Sequence, residues 1–185
     1  VYVDLNADGE INSNDATRDI GYTDMPEYTA GLNTGFSWKN FDFSMQWTGA
    51  WNVDRMLDEF RRPLGDTNEK GLLLYQYDTT WRSSADTFTA KFPRTSSLHA
   101  SNNYAGSDLY LINASYLRLK SVEIGYNFNF PFMKKLKMDN CRLYVNGYNL
   151  ITITGFKWGD PESRQSSRPN YPLTRVFNIG LKLGF

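Results

Sequence analysis

The sequence predicts an all-β chain, a run of antiparallel transmembrane strands forming one part of a β-barrel with long extracellular loops. Three observations carry that expectation. Residues 174–185 read T-R-V-F-N-I-G-L-K-L-G-F, with Phe177, Ile179, Leu181, Leu183 and Phe185 on one parity. Thr174, Val176, Asn178, Gly180, Lys182 and Gly184 occupy the other. Strand side chains alternate between faces, so the segment has an apolar face and a small or polar one, over a length that suits a tilted strand crossing a bilayer. Aromatic residues make up 16% of the chain, with 12 Tyr, 12 Phe and 5 Trp. Such residues favour strands and the bilayer interface. Finally, the links between alternating segments are short and long in turn.

Composition narrows the alternatives. The 20 basic and 20 acidic residues balance, so no bulk charge points to nucleic acid or to an anionic membrane surface. No apolar run approaches the length of a transmembrane helix, which leaves strands as the way across. The single cysteine, Cys141, excludes an internal disulfide framework. The chain opens in mid-pattern at Val-Tyr-Val with no leader, and is expected to be a piece of something longer.

The elements follow in order. Residues 1–27 are expected to be an extracellular segment built around D-L-N-A-D-G-E-I-N-S-N-D (4–15). Counting Asp4 as position 1, oxygen ligands fall at Asn6, Asp8, Asn12 and Asp15, Glu10 offers its carbonyl, and Gly9 sits where a calcium loop needs positive φ. The spacing predicts a structural calcium clip held by Asp4, Asn6, Asp8, Glu10 and Asp15, with Asp in place of the usual Glu at the last position. An Asn/Asp/Gly-rich turn without metal is the alternative.

Residues 28–185 hold the strands and their loops. From Tyr28 the even positions are apolar through Trp38, a turn follows at Lys39-Asn40, and from Phe41 to Trp51 the odd positions are apolar. That is a hairpin of two long strands with aromatic girdles. Residues 52–109 have no sustained period and read as a long extracellular loop with short local structure. A third strand is expected from Ile112 to Phe128 on even parity, with Arg118 and Lys120 interrupting its apolar face. Residues 131–140 read as a loop or one basic helical turn. A fourth strand runs from Cys141 to about Ile151, with Leu143, Val145 and Gly147 opposite Arg142, Tyr144 and Asn146. A polar loop then leads to the fifth. Barrels of the outer membrane keep short turns in the periplasm and long loops outside. Five strands starting outside therefore end in the periplasm. Five cannot close a barrel, and an open edge cannot sit in lipid, so further strands must pair with them.

Four motifs in sequence order resemble the C-terminal part of SusC/RagA-type TonB-linked outer-membrane proteins. They are D-L-N-A-D-G-E-I (4–11), S-Y-L-R-L-K-S-V-E-I-G-Y (115–126), Y-V-N-G-Y-N-L (144–150), and G-D-P-E (159–162) before Y-P (171–172) and Phe185. The resemblance covers essentially the whole chain. It implies a barrel of about 22 strands with an N-terminal plug, of which this chain would supply the last five. It further implies import of large nutrients, oligosaccharides or peptides, with a SusD-like surface lipoprotein as lid and TonB acting through the missing plug. The location implied is the outer membrane, with its lipids around the apolar face. Substrate contacts are expected from the loop aromatics Trp51, Tyr75, Trp81 and Trp158, although packing within the loops competes for each. The pairs Arg61-Arg62 and Arg164/Arg168 are candidates for an anionic substrate.

Two other classes explain less. A soluble, secreted calcium-binding β-domain for carbohydrate binding or adhesion accounts for residues 4–15 but not for the apolar faces or the loop alternation. An enzyme would have to be built on His99, Ser96, Ser97, Ser101 and Asp108, which lack elbow or triad spacing. No enzymatic activity is expected.

Overall fold

The computed structural model describes residues 2–57, 74–95, 103, 105–131, 137–163 and 173–185. Its strands are β1 (Tyr28–Trp38), β2 (Phe41–Trp51), β3 (Asp54–Met56), β4 (Leu111–Asn113), β5 (Tyr116–Phe128), β6 (Asn140–Thr154) and β7 (Val176–Gly184), with one short helix, α1 (Leu74–Thr79). The chain divides into two compact units, Val1–Thr23 with Met56–Ile112, and Asp24–Arg55 with Asn113–Phe185. Among the described residues no helix is long and apolar enough to cross a membrane.

The second unit is built on a five-stranded sheet in the order β1-β2-β5-β6-β7, antiparallel throughout. This is the antiparallel arrangement that the alternating parity predicts. Among the described residues the sheet is open, with β1 and β7 at its edges. The β1–β2 hairpin turns at Lys39, which takes a φ of 55°. Register across the hairpin pairs Leu32 with Trp47, Thr34 with Met45, Phe36 with Phe43 and Trp38 with Phe41. All the side chains of one parity therefore share a face.

That face is apolar and uncovered. Leu32, Phe36, Trp38, Phe41, Ile124, Val145, Ile153, Phe177 and Leu181 are all exposed, and Ile179 keeps 74% of its surface. At the turn end the rings of Phe36 and Phe43 lie 5.3 Å apart, those of Phe41 and Tyr126 4.7 Å, and those of Tyr126 and Phe128 4.8 Å. Such cross-strand aromatic pairs contribute roughly 0.2–1 kcal/mol each. In water an apolar face of this extent would be a liability. Against hydrocarbon it is the expected surface.

The third strand departs from the sequence reading in two ways. It is not continuous from Ile112, because β4 ends at Asn113 and belongs with β3 in a separate two-stranded sheet. The Asn113 side chain bends back to bond the Ser115 amide at 3.1 Å, which breaks the ladder before β5 begins. Lys120 is also an extra residue, since Gln46 pairs with Ser121 while Trp47 pairs with Leu119. A bulge of this kind shifts every later side chain to the other face. Leu117 and Leu119 thus join the apolar face opposite Gly49 and Trp47, and Arg118 joins the polar face opposite Thr48. The interruption of the apolar face expected at Arg118 does not occur. Opposite the bulge, Asn149 of β6 takes a φ of 53°, and the ladder resumes with Leu119 against Ile151. β6 then continues to Thr154, three residues beyond the expected end.

The long segment after β2 carries α1, two short 3-10 turns at Ser84–Asp86 and Asp108–Tyr110, and a bridge between Thr80 and Phe92. Leu57 and Tyr110 are buried there, and the Leu57 amide donates to the Tyr110 carbonyl at 2.8 Å.

Candidate functional site

The polar face of the sheet carries a hydrogen-bonded ladder that runs across four strands. Arg142 of β6 is its centre. Its Nε donates to Asp42 Oδ1 at 3.0 Å, one Nη2 proton goes to Asp42 Oδ2, and Nη2 also reaches Glu123 Oε1 at 2.7 Å. A guanidinium presents its donors in a rigid fork, which suits this two-point hold on a carboxylate. Asn127 Nδ2 donates to Asp42 at 3.1 Å, Asn146 Nδ2 to Glu123 at 3.1 Å, and Asn178 Nδ2 of β7 to Asn146 Oδ1 at 2.9 Å.

Asp42 and Arg142 sit on β2 and β6, which are not neighbours. β5 runs between them, and Arg142 passes over Gly125 to reach Asp42. A Cβ at Gly125 would meet the Arg142 guanidinium. Gly125 is therefore a close-approach glycine, needed for space. The sequence places Asp42, Glu123 and Arg142 on the polar parity but does not join them. A glycine in mid-strand is the one signal that points to their meeting.

A second arginine sits at the far end of β5. The Arg118 side chain is 2% exposed and donates to Thr152 Oγ1 at 3.0 Å, to Asp160 Oδ1 at 2.7 Å and to Glu162 Oε2 at 2.6 Å. Lys120 Nζ adds a contact to Glu162 at 3.2 Å. Arg55 of β3, also buried, donates from Nη2 to the Pro161 carbonyl at 3.3 Å and from Nη1 to the Asp24 carbonyl. The S-Y-L-R-L-K and G-D-P-E motifs thus meet here, the arginine of one held by the two carboxylates of the other. Neither motif by itself announces the pairing.

The loop at 4–15 folds on its own side chains. Gly9 takes a φ of 84°, the conformation that the sixth position of a calcium loop requires. Asp15 accepts the amides of Leu5 and Asn12, each at 2.8 Å, and those amides, Asn12 first, hold its carboxyl below the usual range. Asp4 Oδ2 accepts the Gly9 amide at 2.8 Å, while its Oδ1 is buried without a partner. Asn6 Oδ1 and Asp8 Oδ1 each take a backbone amide two residues on. All the donors are hard oxygens at calcium-loop spacing, and the orphaned Asp4 oxygen suits a cation. Against this, among the described residues no three His, Cys, Asp or Glu side chains group closely enough to hold a metal ion.

The loop aromatics each have local surroundings of their own. Trp51 folds back over Gly49, which lies on the apolar face. Tyr75, on α1, packs edge-on against Phe92 at 6.0 Å, and its hydroxyl accepts from Lys91 at 3.2 Å. The Trp81 amide bonds the Phe92 carbonyl at 2.9 Å, and Trp158 is half-buried ahead of Gly159. Tyr75 and Trp81 belong to the first unit, Trp51 and Trp158 to the second. Ser96, Ser97, His99, Ser101, Arg61-Arg62, Arg164, Arg168, Tyr171-Pro172 and most of the basic stretch after Pro131 lie outside the described residues.

Comparison with known proteins identifies the relationship. No protein-family profile matches the chain. TonB-dependent receptor P3 of Formosa agariphila is 29% identical over the whole chain, and TonB-dependent receptor SusC of Bacteroides thetaiotaomicron is 28% identical over the same extent. The chain is similar over its whole length to TonB-dependent receptors, SusC among them. It spans 19% and 17% of those two relatives, about a fifth of their length. The solved RagAB peptide transporter shares the fold, with a TM-score of 0.71, 21% identity, and coverage of 95% of this chain and 19% of that one. The closed-closed state of the RagAB peptide importer agrees, with a TM-score of 0.70. The SusC/RagA-type relatives are receptors and transporters rather than enzymes.

Proposed function

We propose that the chain is a wall segment of an outer-membrane, TonB-dependent transporter that imports large nutrients, oligosaccharides or peptides, with a SusD-like lipoprotein as lid. The observation that carries this reading is the contrast between the two faces of one open sheet. One face is continuous exposed apolar surface, and the other is a charged, hydrogen-bonded ladder. In water both the bare apolar face and the two unpaired edges would drive association. Lipid suits the first, and further strands of the same barrel suit the second. Similarity to SusC supports the same reading from an independent side. The polar face then lines the passage, the remaining strands and plug come from sequence beyond this chain, and TonB acts through that plug.

The residues argue for passage more than for a single binding pocket. The ladder ties its charged groups to one another, Arg142 to both Asp42 and Glu123 with one carboxylate charge in excess, so it is a wall that a polar substrate slides along. On this reading Trp51 faces lipid, while Tyr75, Trp81 and Trp158 are the aromatics open to substrate or to the lid. Calcium is the proposed ion of the opening segment. Asp4, Asn6, Asp8, the Glu10 carbonyl and Asp15 would hold it, and its charge would stiffen residues 1–27.

The test uses the full-length protein purified in detergent. Heat-modifiable migration and co-purification of a surface lipoprotein are the expected results. A monodisperse, detergent-independent protein would overturn the reading. For calcium, chelation should hasten proteolysis within 1–27, and equal cleavage with and without chelator would remove the ion from the account.

A further inference from the structure

We infer that residues 155–163 form a strap folded inward over the polar face at the end of the sheet, with Arg118 as the positioning residue that fastens it. The inference rests on the reading of the polar face as the lining of a passage, and makes the strap a constriction at its mouth.

The direction comes from register. Arg118 stands on the polar face in one row with Thr48 and Thr152. Its guanidinium holds both Asp160 and Glu162, so the turn that carries them lies on that side of the sheet. The strap leaves β6 at Gly155, where a Cβ would meet nothing within 4 Å, and reverses at Gly159, with a φ of 133°. Between them Phe156 is buried, and its amide bonds Thr154 Oγ1 at 3.1 Å. The turn is internally tight, since the Glu162 amide donates to Asp160 Oδ1 at 2.9 Å and the Ser163 amide to the Asp160 carbonyl at 3.1 Å.

The kind of fastening distinguishes a strap from a strand. Asp160, Pro161 and Glu162 are gripped by cationic side chains, namely Arg118 and Lys120 of β5 and its bulge and Arg55 of β3. Arg118 and Arg55 are themselves placed by strand pairing, in β5 and in β3. The backbone of Arg118 is paired to Thr152 in the β5–β6 ladder, a hold separate from the one its guanidinium makes. Loss of the side-chain contacts therefore frees the strap and leaves the wall standing. Small turns of this sort open locally rather than with the whole fold.

The experiment is hydrogen–deuterium exchange on the full-length protein in detergent, comparing wild type with Arg118→Ala, Arg118→Lys and the pair Asp160→Asn/Glu162→Gln. Peptides covering 156–163 are read against peptides covering 121–126. The expected result is exchange about tenfold faster in 156–163 for Arg118→Ala and for the carboxylate pair, with 121–126 unchanged. Arg118→Lys, which keeps the charge and loses the fork, should fall between. Unchanged exchange in 156–163 for the carboxylate pair would overturn the strap. So would acceleration of 121–126 by the same factor, because Arg118 would then be holding up the sheet itself. If Arg118→Ala fails to assemble, the carboxylate pair, which leaves Arg118 its hydrogen bond to Thr152 and neutral amide acceptors, decides the matter alone. Heat-modifiable migration of the wild type is scored separately, so failure of the barrel reading is told apart from failure of the strap.

Discussion

Two arginines on the same face, Arg142 and Arg118, make almost the same contacts and do different work. Each holds two carboxylates. The partners of Arg142, Asp42 and Glu123, come from strands whose register is already set by backbone pairing. Those of Arg118 come from a turn 42 and 44 residues later that has no strand of its own. The first arginine reinforces a wall that pairing has built. The second fastens a segment that pairing does not reach. An ion pair thus contributes order in proportion to what else holds its partners, and its own geometry says little about that.

Substitutions can break this contrast or sharpen it. The largest effect is expected from Arg118→Ala, which leaves Asp160 buried without its cation. The loss should fall on the turn, with exchange in 156–163 about tenfold faster, while unfolding of the sheet in detergent stays unchanged. Next is Gly125→Ala, whose Cβ enters the space of the Arg142 guanidinium. About 2 kcal/mol is expected, as for overpacking, and Arg142→Ala in the same background should recover part of it if the clash is the cause. Arg142→Lys should cost about 1 kcal/mol, since it keeps the charge but gives up the two-point hold on Asp42. Lys120→Ala removes only an exposed contact to Glu162 and should stay within about 0.5 kcal/mol by the same measurement.

The smallest effect tests the contrast outside the sheet. Asp15 is a half-buried carboxylate held by backbone amides, and its folded value is lowered relative to the unfolded chain. A depressed carboxyl contributes order that is fully present above the unfolded value near about 3.9 and is lost as pH falls through the lower folded one. Exchange or proteolysis of residues 4–15 should therefore stay flat from neutral pH down to that region and rise only below it. A rise already at pH 6 would mean that another group holds the loop.

Much of the architecture was legible because a strand writes its two faces into alternate residues. Tyr28–Trp38 and Phe41–Trp51 alternate so cleanly that the hairpin and its turn both followed. Residues 174–185 likewise yielded an edge strand, observed at Val176–Gly184. The third strand was harder. One extra residue at Lys120 inverts parity in its middle, and a pattern read from one end assigns Arg118 to the wrong face. The candidate site was legible only in parts. Asp42, Glu123 and Arg142 were on the polar parity, and S-Y-L-R-L-K and G-D-P-E were recognisable as motifs. Their contacts were not.

Sequence by itself determined that the chain is built of antiparallel strands with an apolar and a polar face, because alternation is a local property fixed by the backbone. Tertiary structure alone decided that Arg118 faces the polar side and meets Asp160 and Glu162, and that Arg142 crosses Gly125 to Asp42. The physical reason is that a bulge and a side-chain reach over a neighbouring strand are settled by which strands lie side by side, and that adjacency is not written in the spacing of residues along the chain.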